Sequence, residues 1–274
     1  MILTTASGPL YFEIAGEGSP LIFISGWAMS SRCWRPVVEH LAVDHRCLIY
    51  DLRGVARSQP ASLDARFEIE DHAEDLHSLI AYTNFYDATL IAHETGALIA
   101  ALAADRHPQD AASMVLVSPR VAGLKDEIKK LSVLTPTALA LREMASLPVL
   151  RNLVAWRFRR AREPYRKQLF EDFAELDPRA AYQTALSAAD LASSFRLDQF
   201  VAASRLPTLA VCGEKDKRSR EEARKIFALS PSCRLATIKD CGFLPMLEYP
   251  RQFARLISDF AAKSKRESIS LRRL

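Results

Sequence analysis

Few residues in this chain have the type and setting to do chemistry, and the most pointed of them is a carboxylate at a turn. His93-Glu94-Thr95-Gly96 follows the apolar run Ala88–Ala92 and opens a helix-period segment from Thr95 to Asp105. Glu94 therefore falls where a strand gives way to a helix start. Backbone N–H groups and the helix dipole there favour an anion, whereas an apolar pocket favours the neutral acid. A side chain so placed can hold a substrate cation, orient a hydroxyl, or act as a weak general base or acid. His93 beside it reads as a structural hydrogen-bonding residue, with a base as the sharper alternative. No second histidine follows four residues later, so the helical zinc pattern is absent and no metal site is expected. Gly16-Glu17-Gly18 is too short for a dinucleotide fingerprint and reads as a hairpin turn. Cys33, Cys47, Cys212, Cys233 and Cys241 form no CxxC pair and are odd in number. They read as reduced, buried thiols, and Cys241 has no base partner to make it a nucleophile. His72 and His77 fall on an amphipathic segment and read as solvated.

These side chains sit in a chain of 274 residues that is 49% hydrophobic and 26% charged, with a net charge of +4. The apolar share suffices for a real core, and disordered, collagenous and coiled-coil classes are excluded. Met1–Phe12 lacks a leader pattern, and no apolar run reaches the length of a membrane span. A cytoplasmic protein without metal or organic cofactor is expected. Strand candidates are Leu21–Ile24, Cys47–Tyr50, Ala88–Ala92, Met114–Val117, Leu209–Cys212 and Leu235–Ile238. Helices are expected near Ser31–Ala42, Glu68–Tyr82 and Thr95–Asp105. Continuous apolar strands separated by helices predict a doubly wound α/β domain with a mainly parallel sheet covered on both faces.

The alternation stops between Arg120 and Ser204. That stretch is helical in period, punctuated by Pro136, Pro148, Pro164 and Pro178, and predicts a helical lid. The organisation expected is a core of residues 1–119 and 205–263, a lid insertion of 120–204, and a basic tail of 264–274. Residues 120–200 hold 14 basic and 10 acidic side chains, an excess equal to the whole net charge. Arg157, Arg159, Arg160, Arg162 and Arg166 cluster in it. Such a run is a solvated helical face or a docking site for an acidic partner or anionic ligand. No nucleic-acid motif accompanies it.

Ser25-Gly26-Trp27-Ala28-Met29-Ser30-Ser31, Asp51-Leu52-Arg53-Gly54, the turn around Glu94, Cys212-Gly213-Glu214-Lys215-Asp216, and Gly242-Phe243 with Glu248-Tyr249-Pro250 behind it occur in the order of a known fold. On these landmarks the whole chain resembles the α/β-hydrolase superfamily, in its lidded esterase, thioesterase and C–C hydrolase branch, with pimeloyl-carrier-protein methyl ester esterases as a good comparison. The resemblance implies an eight-stranded-type sheet with a helical lid. It also implies a nucleophile on a G-x-S-x-G elbow, where this chain has Glu94. The base position falls on Phe243, and no histidine follows His107. Ser25-Gly26 replaces His-Gly, Gly54-Val55-Ala56 replaces Gly-His-Gly, and Ala92 replaces the first elbow glycine. Of the triad only the acid position, Asp216, is kept. Gly26, Trp27, Thr95, Phe243 and Met29 map to the oxyanion hole and pocket.

Serine hydrolysis needs both a nucleophile and a base, so ordinary esterase activity is expected to be lost. Dehalogenases and epoxide hydrolases of the superfamily attack carbon with an elbow aspartate, but a histidine must then open the ester, and Phe243 cannot. The expectation is a repurposed enzyme in which Glu94 does lyase-, cyclase- or isomerase-type acid–base chemistry on an apolar or acyl-type small molecule. One alternative is a catalytically inactive ligand-binding or interaction protein in which Glu94 merely fills the oxyanion site. Another is residual hydrolysis by displaced residues such as His93. By the same resemblance, the basic lid suits an acidic protein such as an acyl carrier protein.

Overall fold

The computed structural model describes residues 1–5, 8–60, 62–119, 158–161 and 163–271. Its centre is an eight-stranded sheet of β1 (Ile2–Thr5), β2 (Gly8–Ala15), β3 (Ser19–Ile24), β4 (His45–Tyr50), β5 (Ala88–His93), β6 (Ala111–Val117), β7 (Thr208–Gly213) and β8 (Cys233–Ile238). The spatial order is β1-β2-β4-β3-β5-β6-β7-β8. The β1–β2 and β2–β4 pairings are antiparallel and the remaining five are parallel. β5 lies at the centre between β3 and β6, and every residue of it is buried.

The turn at Gly16–Gly18 corrects the hairpin reading. It joins β2 to β3, which are not neighbours but flank β4 on either side. A Cβ on Gly16 would lie 2.3 Å from the carbonyl oxygens of Ala42 and His45, and its φ is +77°. The glycine serves close approach to the start of β4 rather than a two-strand turn.

Helices cover both faces. On one lie α1 (Arg35–Leu41), entered through a 3-10 turn at Ser31–Trp34, and the long helix α9 (Pro250–Leu271). They pack on Phe23, Ile49, Val115 and Val211 around Trp34 and Phe253. On the other lie α2 (Ile69–Thr83) and α3 (Gly96–Arg106), packed on Ile22, Leu48, Leu90 and Leu116. Helix α2 begins with a reciprocal capping box between Glu68 and Asp71 and ends on Asn84 at φ 54°, so start and stop are both encoded locally. Between β6 and β7 the described residues form α4 (Tyr165–Ala174), α5 (Pro178–Ser194) and α6 (Leu197–Ser204). Helix α7 (Lys217–Leu229) follows β7, and a short turn of helix, α8 (Pro245–Glu248), precedes α9. Helix α9 continues past Lys263 to Leu271, so the segment set apart as a tail is helical that far.

A buried ion pair ties the loop after β4 to α2. Arg53 donates from Nε and Nη2 to the two carboxylate oxygens of Asp75, at 3.0 and 2.6 Å, and from Nη1 to the Arg66 carbonyl. Both side chains are almost fully enclosed. Removing one partner leaves an uncompensated buried charge. We expect Asp75→Asn to lower unfolding free energy by about 3–5 kcal/mol, measured by urea denaturation, and Arg53→Met/Asp75→Leu to cost less than either single change.

Candidate functional site

The elbow is built as its position in the sheet demands. Glu94 leaves β5 with φ 52°, a left-handed conformation that costs a non-glycine residue of order 1–3 kcal/mol unless its surroundings hold it. Two contacts hold it: its N–H donates to the Val117 carbonyl at 3.0 Å, and its own carbonyl accepts from Ala97 N–H at 3.0 Å as α3 begins. Gly96 lets that helix start against β3, because a Cβ would stand 2.7 Å from the Ser25 carbonyl oxygen. Ala92, in place of the first elbow glycine, is fully buried.

The Glu94 side chain turns toward the loop after β3. Its Oε2 accepts the Trp27 backbone N–H at 3.1 Å, and the residue is only 4% exposed. Gly26 makes the approach possible, since a Cβ there would lie 2.8 Å from that same oxygen and 2.6 Å from His93 Nδ1. Ser25, in place of the family histidine, accepts the Trp34 indole N–H at 3.1 Å. Thr95 is buried at the helix start. Met29, read as a pocket residue, instead packs within the α1/α9 core, because Trp27–Met29 closes back on Gly26 through its N–H.

Phe243 stands half-buried at the base position. Its ring meets the His93 imidazole edge-on at 4.6 Å, and its carbonyl accepts from His93 Nε2–H at 3.1 Å. The loop that carries it is clamped by a residue that sequence reading used only as a landmark. The Glu248 carboxylate accepts the Gly242 and Leu244 N–H groups at 2.9 and 3.2 Å. Arg160 lies 3.7 Å from Glu248 and donates to the Asp240 carbonyl at 3.3 Å. The signal was available in the spacing, a carboxylate six residues after a glycine in a turn, but nothing local says which N–H groups it meets. Burial and the nearby Glu248 charge push the Cys241 thiol up, which keeps it from acting as a thiolate.

Asp216 is drawn away from the role its position suggests. It is buried and caps α7, accepting from Ser219 N–H at 3.4 Å and Ser219 Oγ–H at 2.5 Å. The nearest lysine in sequence, Lys215, pairs with Asp240 instead, at 2.8 Å. Of the basic cluster, Arg160 is exposed while engaging Glu248 and the Asp240 carbonyl, and Arg166 pairs with Glu163 at 2.8 Å. Arg159 is exposed, while Arg157 and Arg162 lie outside the described residues. Arg160 and Arg166 remain exposed while making these contacts.

Two histidines read as solvated are not. His77 Nδ1 bonds to the buried Asp110 carboxylate at 2.8 Å, and its ring stacks on His107 at 3.6 Å. His72 is 1% exposed and its Nε2 meets Thr184 Oγ1 of α5 at 3.0 Å. The α2 face that amphipathicity assigned to solvent is covered by the insertion. Further ties hold that insertion down. The Trp27 indole N–H donates to the Ala181 carbonyl at 2.8 Å, and Asp177 N–H donates to the Gly54 carbonyl at 2.9 Å. A Cβ on Gly54, whose φ is +79°, would lie 2.3 Å from the Ala180 methyl. The buried Asp172 of α4 accepts from Ser30 Oγ and Arg32 Nη1 beside the same loop that carries Trp27. Burial pushes Asp172 up, against the pull of Ser30 and Arg32. Among the described residues no three His, Cys, Asp or Glu side chains gather to hold a metal, and no helix is long and apolar enough to cross a membrane.

Sheet order, elbow, oxyanion loop and helical insertion define a hydrolase-type frame, and comparison with known proteins agrees. Residues 19–250 match the family model described as alpha/beta hydrolase fold, and the chain belongs to that family. A pimeloyl-[acyl-carrier protein] methyl ester esterase from Nitrosospira multiformis is 28% identical over 92% of this chain and 98% of its own length. A putative carbamate hydrolase from Variovorax paradoxus is 35% identical over 40% of this chain and 42% of its own. The chain spans less than half the length of the first relatives it matches. Among solved structures, an esterase from Thermogutta terrifontis superposes with a TM-score of 0.77 at 20% identity, over 96% of this chain and 98% of that one. A putative lipase from Acinetobacter baumannii gives 0.79 at 19% identity, over 97% and 92%. The last two show the fold alone.

Burial holds His72 down to about 3, with the nearby Arg53 charge acting in the same direction. The folded state thus resists a proton that the unfolded chain takes up below about 6.5. This contribution to stability is complete above that pH and is lost as pH falls toward 3. Urea midpoints measured from pH 7 to pH 4 should fall less steeply in His72→Gln than in the parent chain.

Proposed function

We propose that this chain binds a small apolar or acyl-type molecule between its sheet and the helical insertion, which acts as a lid, and performs acid–base chemistry on it through Glu94 without hydrolysing an ester. The observation that carries the reading is the Glu94 carboxylate at the elbow, buried and accepting the Trp27 N–H. A hydrogen-bonded, preorganised carboxylate beside a helix start is a proton acceptor of defined geometry. Oε2 is steadied by the Trp27 N–H. Covalent catalysis is disfavoured, because an ester on Glu94 has only Phe243 where the water-activating histidine belongs. Hydrolysis through His93 is disfavoured by the use of its Nε2–H on the Phe243 carbonyl.

A second reading, a catalytically inactive binding protein, has its own support. The N–H that would stabilise a substrate oxyanion is taken by the protein's own carboxylate, and Asp216 is committed to a helix cap. Under either reading the ligand is of the kind that the named esterase relatives suggest, and the protein works in the cytoplasm. An acidic carrier protein is the partner that exposed basic residues such as Arg159 and Lys167 suit.

Two measurements separate these readings. First, p-nitrophenyl butyrate should be hydrolysed by the parent chain at the buffer rate. Glu94→Ser/Phe243→His, which returns nucleophile and base to the kept frame, should raise that rate by at least ~100-fold. Parent turnover far above buffer that disappears in His93→Ala would overturn the non-hydrolytic reading. Second, a conversion found by screening apolar and acyl compounds should drop about 10²- to 10⁴-fold in Glu94→Gln, the usual worth of a general base. An unchanged rate removes Glu94 from the mechanism.

A further inference from the structure

Beside the Trp27 loop lies a narrow cavity on the α2 side of the elbow. It is bordered by Trp27, Ala28, Arg53, His72, Ala181 and Thr184 among others, and has room for about one water-sized group. Its walls thus come from the oxyanion loop, the loop after β4, α2 and the insertion helix α5. Most of the polar groups there are already satisfied within the chain. Arg53 is fully engaged by Asp75 and the Arg66 carbonyl. The pair carries no net charge, so it offers nothing to an anionic ligand group.

His72 is the exception. Thr184 Oγ1 donates its single proton to the Phe67 carbonyl at 2.9 Å. It can therefore only accept from His72, across the 3.0 Å contact to Nε2. This assigns the proton of the neutral ring to Nε2 and leaves Nδ1 as a lone-pair acceptor. Nδ1 is buried and has no hydrogen-bond partner among the described residues, on a side chain that is 1% exposed. An unmet buried acceptor of this kind costs about 1–3 kcal/mol, so a partner in the adjoining cavity is favoured. The ring stays neutral through the physiological range because burial opposes its charging. A cationic ligand tip would lose its hydration among apolar methyls with one acceptor to replace it, and a carboxylate would face a lone pair.

We infer that this cavity is a hydroxyl-reading subsite, in which His72 Nδ1 accepts the hydrogen bond of a neutral O–H group at the tip of an otherwise apolar ligand. The inference rests on the proposed binding of a small molecule between sheet and insertion, but not on any chemistry by Glu94. His72 is here a specificity-determining residue. It has no role in bond making.

The test uses two probes with the same number of heavy atoms, 1-hexanol and pentyl methyl ether, the second without an O–H. Calorimetry on the full chain should give 1-hexanol about tenfold tighter binding, the worth of one hydrogen bond to an otherwise unmet acceptor. In the 15N-histidine-labelled chain, long-range 1H–15N spectra should show His72 as the Nε2–H tautomer. Its Nδ1 resonance should move upfield with 1-hexanol and stay still with the ether. In His72→Phe the preference should fall to about one, whereas Glu94→Gln should retain it. Equal affinities with an unmoved Nδ1 resonance would overturn the subsite while leaving ligand binding intact. That outcome includes the case in which a resident water holds Nδ1 and no alcohol displaces it. Failure of both probes to bind would overturn the proposed binding of apolar molecules and the subsite with it. The wild-type resonance decides the matter even if His72→Phe does not fold.

Discussion

A buried carboxylate needs a donor, and in this protein one backbone N–H supplies it. Glu94 stands at the end of the central strand, nearly enclosed, with Oε2 on the Trp27 amide. The arrangement requires the left-handed φ of Glu94, the missing Cβ of Gly26 and the anchoring of the elbow to Val117. Trp27 also reaches the other way, giving its indole proton to Ala181 of the insertion. One residue therefore couples the position of the carboxylate to the position of the helices that cover it.

Contacts among the neighbouring loops hold the rest of the site in place. Where a histidine would reach from the loop after β8, Phe243 packs against His93, and the carbonyl of Phe243 takes the imidazole proton. Glu248 and Arg160 lock that loop from beneath and beside it. Asp216, relieved of an imidazole to orient, caps the helix that follows it. Phe243, His93 and Asp216 each have a structural partner, so the loops around Glu94 keep their places. The insertion is held by neutral and ionic contacts alike, from Ser30 and Arg32 on Asp172 to Thr184 on Phe67.

Much of the fold was legible from local signals. Apolar runs became β3 to β8, and the inner ones show the reason, because a parallel strand buried on both faces has no room for polar alternation. The boundaries of α2 and α3 follow from the capping box, Asn84 and the turn at Glu94. β1 and β2 were not legible: they are antiparallel strands at one side of the sheet, mostly half-exposed, and the turn between β2 and β3 mimics a hairpin. His72 was misplaced for a related reason. Amphipathic periodicity tells which face of a helix meets the sheet, not whether a distant insertion covers the opposite face.

The identity of the residues at each catalytic position belongs to the sequence alone. It determined that a carboxylate replaces the nucleophile, that no histidine is available late in the chain, and that glycine is kept at Gly26, Gly54, Gly96, Gly213 and Gly242. Such statements concern residue type and local backbone, which need no partner to be true. What each side chain does was decided by tertiary structure. Glu94 meets Trp27 across 67 positions, His93 meets Phe243 across 150, and His72 meets Thr184 across 112. Hydrogen bonds at such separations exist only after the sheet has closed and the insertion has folded over it, so no local pattern could announce them.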